Sequence, residues 1–142
     1  MILYQTTVHV SRPREQVFAY LVDPEKLKMW QSNLVKAESL TPGPLRLGSR
    51  FREVRRLGQR EAEVQGEISE FEPNQRLATK TSTKPDVRVS YLLSPEQGGT
   101  RLRYTFQMLP TGLMWLLQPV ISSSIRKQSD MDFVRLKHLL EA

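Results

Sequence analysis

The sequence contains no cysteine, which excludes disulfide staples and thiolate metal sites. Histidine is scarce: His9 and His138 stand far apart, and neither has metal-ligand spacing, so no metal is expected. No GxGxxG fingerprint, phosphate-binding loop, GxSxG elbow or HExxH pair occurs, so no cofactor is expected either. Long apolar runs are also missing. The longest such stretch, Gly112 to Ile125, holds Gln118, Pro119 and three serines and is too short to span a bilayer. The opening MILYQTTVHV lacks the basic region, apolar core and cleavage site of a secretory signal. With no leader and no cysteine, the expected location is cytoplasmic.

What is present is an ordinary globular balance. Hydrophobic residues make up 39% of 142 and charged residues 25%, which argues against disorder. The length fits one domain spanning 1–142, able to bury about two-thirds of its unfolded surface. The net charge of +6 either attracts phosphates and anionic lipid heads or serves solubility alone.

Residues 2–10 are β-branched and aromatic and read as a strand. Ser11 is a candidate N-cap with Pro13 in the first turn of a helix, whose Val17, Phe18 and Leu21 share one face. Asp23-Pro24 breaks that helix, and a second short one runs from Pro24 to Trp30. Strands follow near 34–41, 47–57, 60–71, 76–83, 86–94 and 100–109, separated by turn-forming Gly, Pro, Asn and Asp. Thr111 to Leu117 forms a first turn, and Pro119 either starts or kinks a long last helix. Its Ile121, Ile125, Phe133, Leu136 and Leu140 are spaced for one face.

The Gly58-Gln59 loop fixes a register, since glycine first suits a type II′ turn. Leu57 then opposes Arg60, Arg56 opposes Glu61, and Arg50 opposes Glu67. On the other face Glu53 meets Val64, Arg55 meets Ala62, and Phe51 covers Gly66. The arginines at 46, 50, 52, 55, 56 and 60 are thereby largely neutralised by Glu61, Glu63 and Glu67, so nucleic acid is not an expected partner. In the later strands Leu77, Thr79 and Thr81 share a face, as do Val89 and Tyr91, and Tyr104 and Phe106. One side of the sheet is apolar with hydroxyls and the other charged.

Val17-Phe18 with Leu21, Asp23-Pro24 and Trp30 look like the first-helix signature of a known family. Gly48, then Glu72-Pro73-Asn74 with Arg76-Leu77, and Leu136-Lys137 with Leu140-Glu141 continue the pattern. In this order the chain resembles, over essentially its whole length, the polyketide cyclase/dehydrase-like branch of the START and Bet v 1 (SRPBCC) superfamily. The resemblance implies an α+β helix-grip fold: a curved antiparallel sheet wrapped around the C-terminal helix, with a cavity between them. It does not imply one activity, because members include lipid and quinone carriers, hormone receptors, cyclases and oxygenase subunits.

If the apolar face lines a cavity, Glu53 and Arg55 are the charged strand residues that point into it. They either anchor a polar ligand group or form a pair at the cavity mouth. Tyr91 and Tyr104 offer hydroxyls to a ligand, or are core tyrosines bonded to backbone or water. Trp30 and Trp115 either cap an entrance or pack ordinarily. Leu113, Met114, Leu116 and Leu117 around Trp115 make an apolar patch suited to transient membrane contact. The serines at 122–124 leave space near Ser124 and Gln128, with Phe133, Leu136 and Leu140 as a packed plug, or simply face water. The expected ligand-binding set is Trp30, Phe51, Glu53, Arg55, Thr79, Thr81, Tyr91, Tyr104, Trp115, Ile121, Ser124 and Gln128. The expected function is binding or transport of a hydrophobic small molecule. The alternative is a cyclase or dehydratase using Glu53, Arg55 and Tyr104. The oligomeric state stays open.

Overall fold

Alternation of apolar and charged residues makes one layer of this molecule. In the computed structural model, which describes residues 1–142, seven strands form a single sheet. They are β1 (Ile2–Val10), β2 (Leu34–Ser39), β3 (Arg50–Leu57), β4 (Arg60–Glu72), β5 (Arg76–Thr81), β6 (Asp86–Glu96) and β7 (Gly99–Leu109). The order is β1-β7-β6-β5-β4-β3-β2, with every pair antiparallel. The first strand thus closes against the last, Ile2 opposite Met108 and Val10 opposite Thr100. Helices α1 (Arg14–Val22) and α2 (Pro24–Trp30) follow β1, and α3 (Gln118–Glu141) ends the chain after a 3₁₀ turn at Gly112–Trp115. This is the helix-grip arrangement. No helix is long and apolar enough to cross a membrane.

The β3–β4 hairpin holds the register set by its turn. Leu57 opposes Arg60, Arg56 opposes Glu61, Glu53 opposes Val64 and Phe51 opposes Gly66. Gly58 adopts φ +66°, the left-handed value the turn demands. A Cβ on Gly66 would lie 2.6 Å from Phe51 Cζ and 2.5 Å from the Lys80 carbonyl oxygen, so only glycine lets the ring lie flat on the sheet there. Arg56 pairs with Glu61 at 3.4 Å, but Glu67 pairs with Lys80 instead of Arg50, because β5 brings the lysine alongside. Register shifts in β2 after Leu34 and in β4 after Ile68 bend the sheet.

Several ends differ from the sequence reading. Ser11 caps no helix: its N–H donates to Glu141 at 2.8 Å, and α1 starts after Pro13. Asp23 caps α2, accepting from the Glu25 N–H at 2.9 Å. Residues 47–49 stay outside β3 because Ser49 N–H turns back to the Arg46 carbonyl, with Gly48 at φ +86°. β5 stops at Thr81, whose hydroxyl closes the turn to β6. Pro119 opens α3 rather than kinking it.

Val17, Phe18 and Leu21 of α1 and Phe133, Leu136 and Leu140 of α3 are buried with Leu77, Tyr91, Leu93, Leu102 and Tyr104 of the sheet. Each such side chain contributes about 1.5–3 kcal/mol by leaving water. The end of α3 also seals the sheet edge: Lys137 Nζ donates to the His9 carbonyl of β1 at 2.6 Å.

Candidate functional site

Burial fades along the inner sheet face. The row Leu93–Leu102 is sealed, and the next row, Leu77–Tyr91–Tyr104, is at most 8% exposed. One step further, Thr79, Val89, Phe106 and Tyr4 are only half-buried. On α3 the same gradient runs from Phe133 back to the half-buried Ser129, Gln128, Ile125, Ser122 and Ile121. The space between helix and sheet is therefore packed at one end and a partly covered cleft at the other, where Ile2 on β1 is nonetheless 2% exposed; it is not the closed chamber expected. Two surface depressions lie elsewhere: one of about 480 Å³ on the outer face of α3, by Met131 and Val134, and one of about 380 Å³ beside Pro13 and Gly98. Both are open dishes, and neither gathers the buried polar groups described next.

The cleft's inner end carries a connected polar network. Arg55 on β3 holds Glu53 at 2.8 Å, the side-chain oxygen of Gln31 at 2.8 Å and that of Asn33 at 2.8 Å. Glu53 and Arg55 keep only 14% and 25% side-chain exposure, so the pair faces inward. Across from it Asp132 of α3 accepts the Ser32 N–H at 3.1 Å, and Arg135 Nη1 lies 3.8 Å away. The loop after α2 is thus gripped from β3 on one side and α3 on the other.

Beside this network sit two phenols. The Tyr104 ring packs 4.9 Å from Phe133 and 5.3 Å from Tyr91. Burial pushes Tyr104 up to about 12, with Arg55 and the Ser129 hydroxyl pulling the other way. Burial, and then its neighbour Tyr104, raises Tyr91 well above the ordinary phenol value. Both are neutral hydrogen-bond donors at physiological pH. No protein group bonds the Tyr91 hydroxyl. Every fully sealed side-chain polar atom is satisfied, so this oxygen keeps a sliver of access. Burial likewise raises the Asp132 carboxyl, against the opposing pull of Ser32 and Arg135.

Phe51, Glu53, Arg55, Thr79, Tyr91, Tyr104, Ile121 and Gln128 all sit on the inner side of sheet or helix at this cleft. Four other expected residues do not line it. Trp30 is core: it is 2% exposed, stacks 5.5 Å from Phe133, and its Nε1–H donates to the Tyr20 carbonyl at 3.0 Å. Thr81 is spent on the turn, accepting from the Val87 N–H at 2.9 Å and donating to the Pro85 carbonyl at 3.2 Å. Ser124 faces water, because the inward line of α3 passes through Ser122, Ile125 and Ser129. Trp115 stands half-exposed on the 3₁₀ turn. The sequence reading missed Gln31, Asn33, Ser129 and Asp132. Only Asp132 carried a signal, as a charge one position before the apolar line at Phe133.

The combination of grip, cleft and inward polar end agrees with the match of a family model over residues 1–141. The chain belongs to the polyketide cyclase / dehydrase and lipid transport family. Protein NE0264 from Nitrosomonas europaea shares this family fold, with TM-score 0.79 at 18% identity over 99% of this chain and 94% of that one. CV1439 from Chromobacterium violaceum gives TM-score 0.75 at 16% identity, covering 99% and 98%. Ara h 8.0201 gives TM-score 0.73 at 11% identity, covering 97% and 96%. No curated protein matches the chain in sequence. The name of the polyketide cyclase / dehydrase and lipid transport family joins catalysis with carriage, and membership does not choose between them.

Proposed function

We propose that this protein binds an apolar, ring-bearing small molecule in the cleft and anchors the molecule's oxygen with Tyr91 and Tyr104. The observation that carries this reading is the Tyr91 hydroxyl, a neutral donor without a protein partner beside an otherwise satisfied network. A ligand carbonyl or phenol oxygen would complete it. Val89, Phe106, Phe51 and Ile121 supply the apolar walls, all half-buried and gaining burial when the cleft fills. Glu53 and Arg55 neutralise each other, so the ligand is uncharged at that end. Denaturing extraction and mass spectrometry of the purified protein, with a thermal-shift panel of lipids, quinones and polycyclic phenols, tests this. A bound or stabilising ring compound is expected. An empty protein indifferent to the whole panel overturns it.

A second reading keeps the site and adds chemistry. The neutral Tyr104 hydroxyl would polarise a carbonyl while the Glu53 carboxylate, steered by Arg55, removes a neighbouring proton in a cyclisation or dehydration. Under it, Glu53→Gln and Tyr104→Phe abolish turnover of a polyketide-like substrate and leave its binding largely intact. Unchanged turnover in both removes this reading.

A further inference from the structure

Residues 104–125 contain no Asp, Glu, Lys or Arg, in a chain that is 25% charged. The last part of this stretch leaves the protein body. No residue of the 3₁₀ turn is buried. The backbone N–H groups of Met114, Leu116 and Leu117 donate to the carbonyls of Thr111, Leu113 and Met114, within the same turn, and the Leu117 carbonyl ties the turn to α3 by accepting from Ile121. From this tip Leu116 is 79% exposed, Leu113 76%, Val120 68%, Leu117 54% and Trp115 49%. Single exposed apolar residues are ordinary, but five within eight positions form a patch that water disfavours.

The chemistry around the patch says what covers it. Arg126 and Lys127 follow on α3; both are exposed and neither has an ion-pair partner. Of the nearby acidic groups, Asp86 is paired with Lys84, and Asp130 accepts from the Tyr4 hydroxyl but keeps its charge, so Arg126 and Lys127 outnumber it on this part of α3. An apolar tip bearing an indole, followed on the same helix by two unpaired cations, matches the depth profile of a bilayer surface: acyl chains first, then anionic headgroups. The tip carries no charged side chain, and its one amide, Gln118, is turned back to the Met1 carbonyl at 3.3 Å, which leaves the indole N–H of Trp115 as its polar handle, a group suited to the headgroup level of a bilayer.

We infer that the 112–120 tip docks this protein reversibly on membranes that carry anionic lipid. Docking turns the first half of α3, which flanks the open part of the cleft, toward the lipid. The inference stands on the tip and these two cations alone, and its test involves no cleft ligand.

The test is vesicle flotation with phosphatidylcholine alone and with about one-third phosphatidylglycerol added, read alongside Trp115 emission. The protein floats with the anionic vesicles at low salt and is released at high salt, and the Trp115 emission shifts to the blue. The Trp115→Phe variant, which keeps only the buried Trp30, loses the shift. Arg126→Gln with Lys127→Gln weakens binding roughly 30-fold, and Leu113→Ser with Leu116→Ser abolishes it. All these positions are exposed, so the variants keep the fold, which circular dichroism checks. Absence of flotation at low salt overturns the inference, as does flotation unchanged by the serine pair. Dimerisation in sedimentation that the serine pair abolishes, without flotation, assigns the tip to a second copy of the chain and equally overturns it.

Discussion

Tyr91 and Tyr104 oppose each other across β6 and β7, ring centroids 5.3 Å apart and planes inclined by 45°. Their rings belong to the core, and their hydroxyls to the cleft. Tyr91→Phe removes an oxygen that no protein group uses, so unfolding stability changes by less than about 1 kcal/mol. Affinity for a ring ligand with a hydroxyl falls about tenfold, one lost hydrogen bond. Comparing naphthol with naphthalene by calorimetry isolates the effect: the variant weakens only naphthol.

Arg55 is bonded to three side chains, so its loss is felt by all of them. Arg55→Met strands the Glu53 carboxylate at 14% exposure and frees Gln31 and Asn33. The expected cost is about 1–3 kcal/mol, below the 3–5 typical of a fully sealed pair because Arg55 retains contact with water. Adding Glu53→Gln removes the stranded charge, so in urea titrations the double variant is more stable than Arg55→Met alone.

Gly66→Ala forces a Cβ against the Phe51 ring and the Lys80 carbonyl. Overpacking here costs about 1–3 kcal/mol. Phe51→Leu in the same chain relieves the ring but not the backbone oxygen, so thermal melts show partial rescue only.

Asp132 gives the fold a pH signature. Burial raises its folded carboxyl above the ordinary 3.8. Between that value and the raised one, the folded state holds more protons than the unfolded chain. The contribution is therefore fully present below 3.8 and is lost as pH climbs through the folded value. Asp132→Asn cannot titrate. The melting temperature of the variant minus that of the wild type rises across this window and then levels off; a flat difference contradicts the raised carboxyl.

The sheet was legible because its rules are local. Gly58-Gln59 sets a turn, the turn sets a register, and the register puts Glu53 and Arg55 on the inner face, where they are found. What joins them there is not local. Gln31 and Asn33 arrive from a loop, and Asp132 from a helix a hundred residues further on; no spacing in the sequence encodes those meetings. Ser124 shows how a small phase error misplaces a helical residue. Ile121 and Ile125 are on the inner side, but one step of about 100° turns Ser124 to water, and Ser122 and Ser129 take the inward places. Trp30 beside a helix end reads as ordinary packing sooner than as a gate, and the neighbouring Phe133 decides for core.

A cleft that receives a ring ligand must report it residue by residue. Amide and methyl NMR spectra of the labelled protein, titrated with naphthol, are the direct measurement. The expected shifts cluster at Phe51–Arg55, Val89–Tyr91, Tyr104–Phe106 and Gln128–Asp132, and in Tyr91→Phe they need about ten times more naphthol to saturate. Shifts confined to the outer α3 depression by Met131 and Val134, or no saturable shifts anywhere, contradict a binding site between sheet and helix.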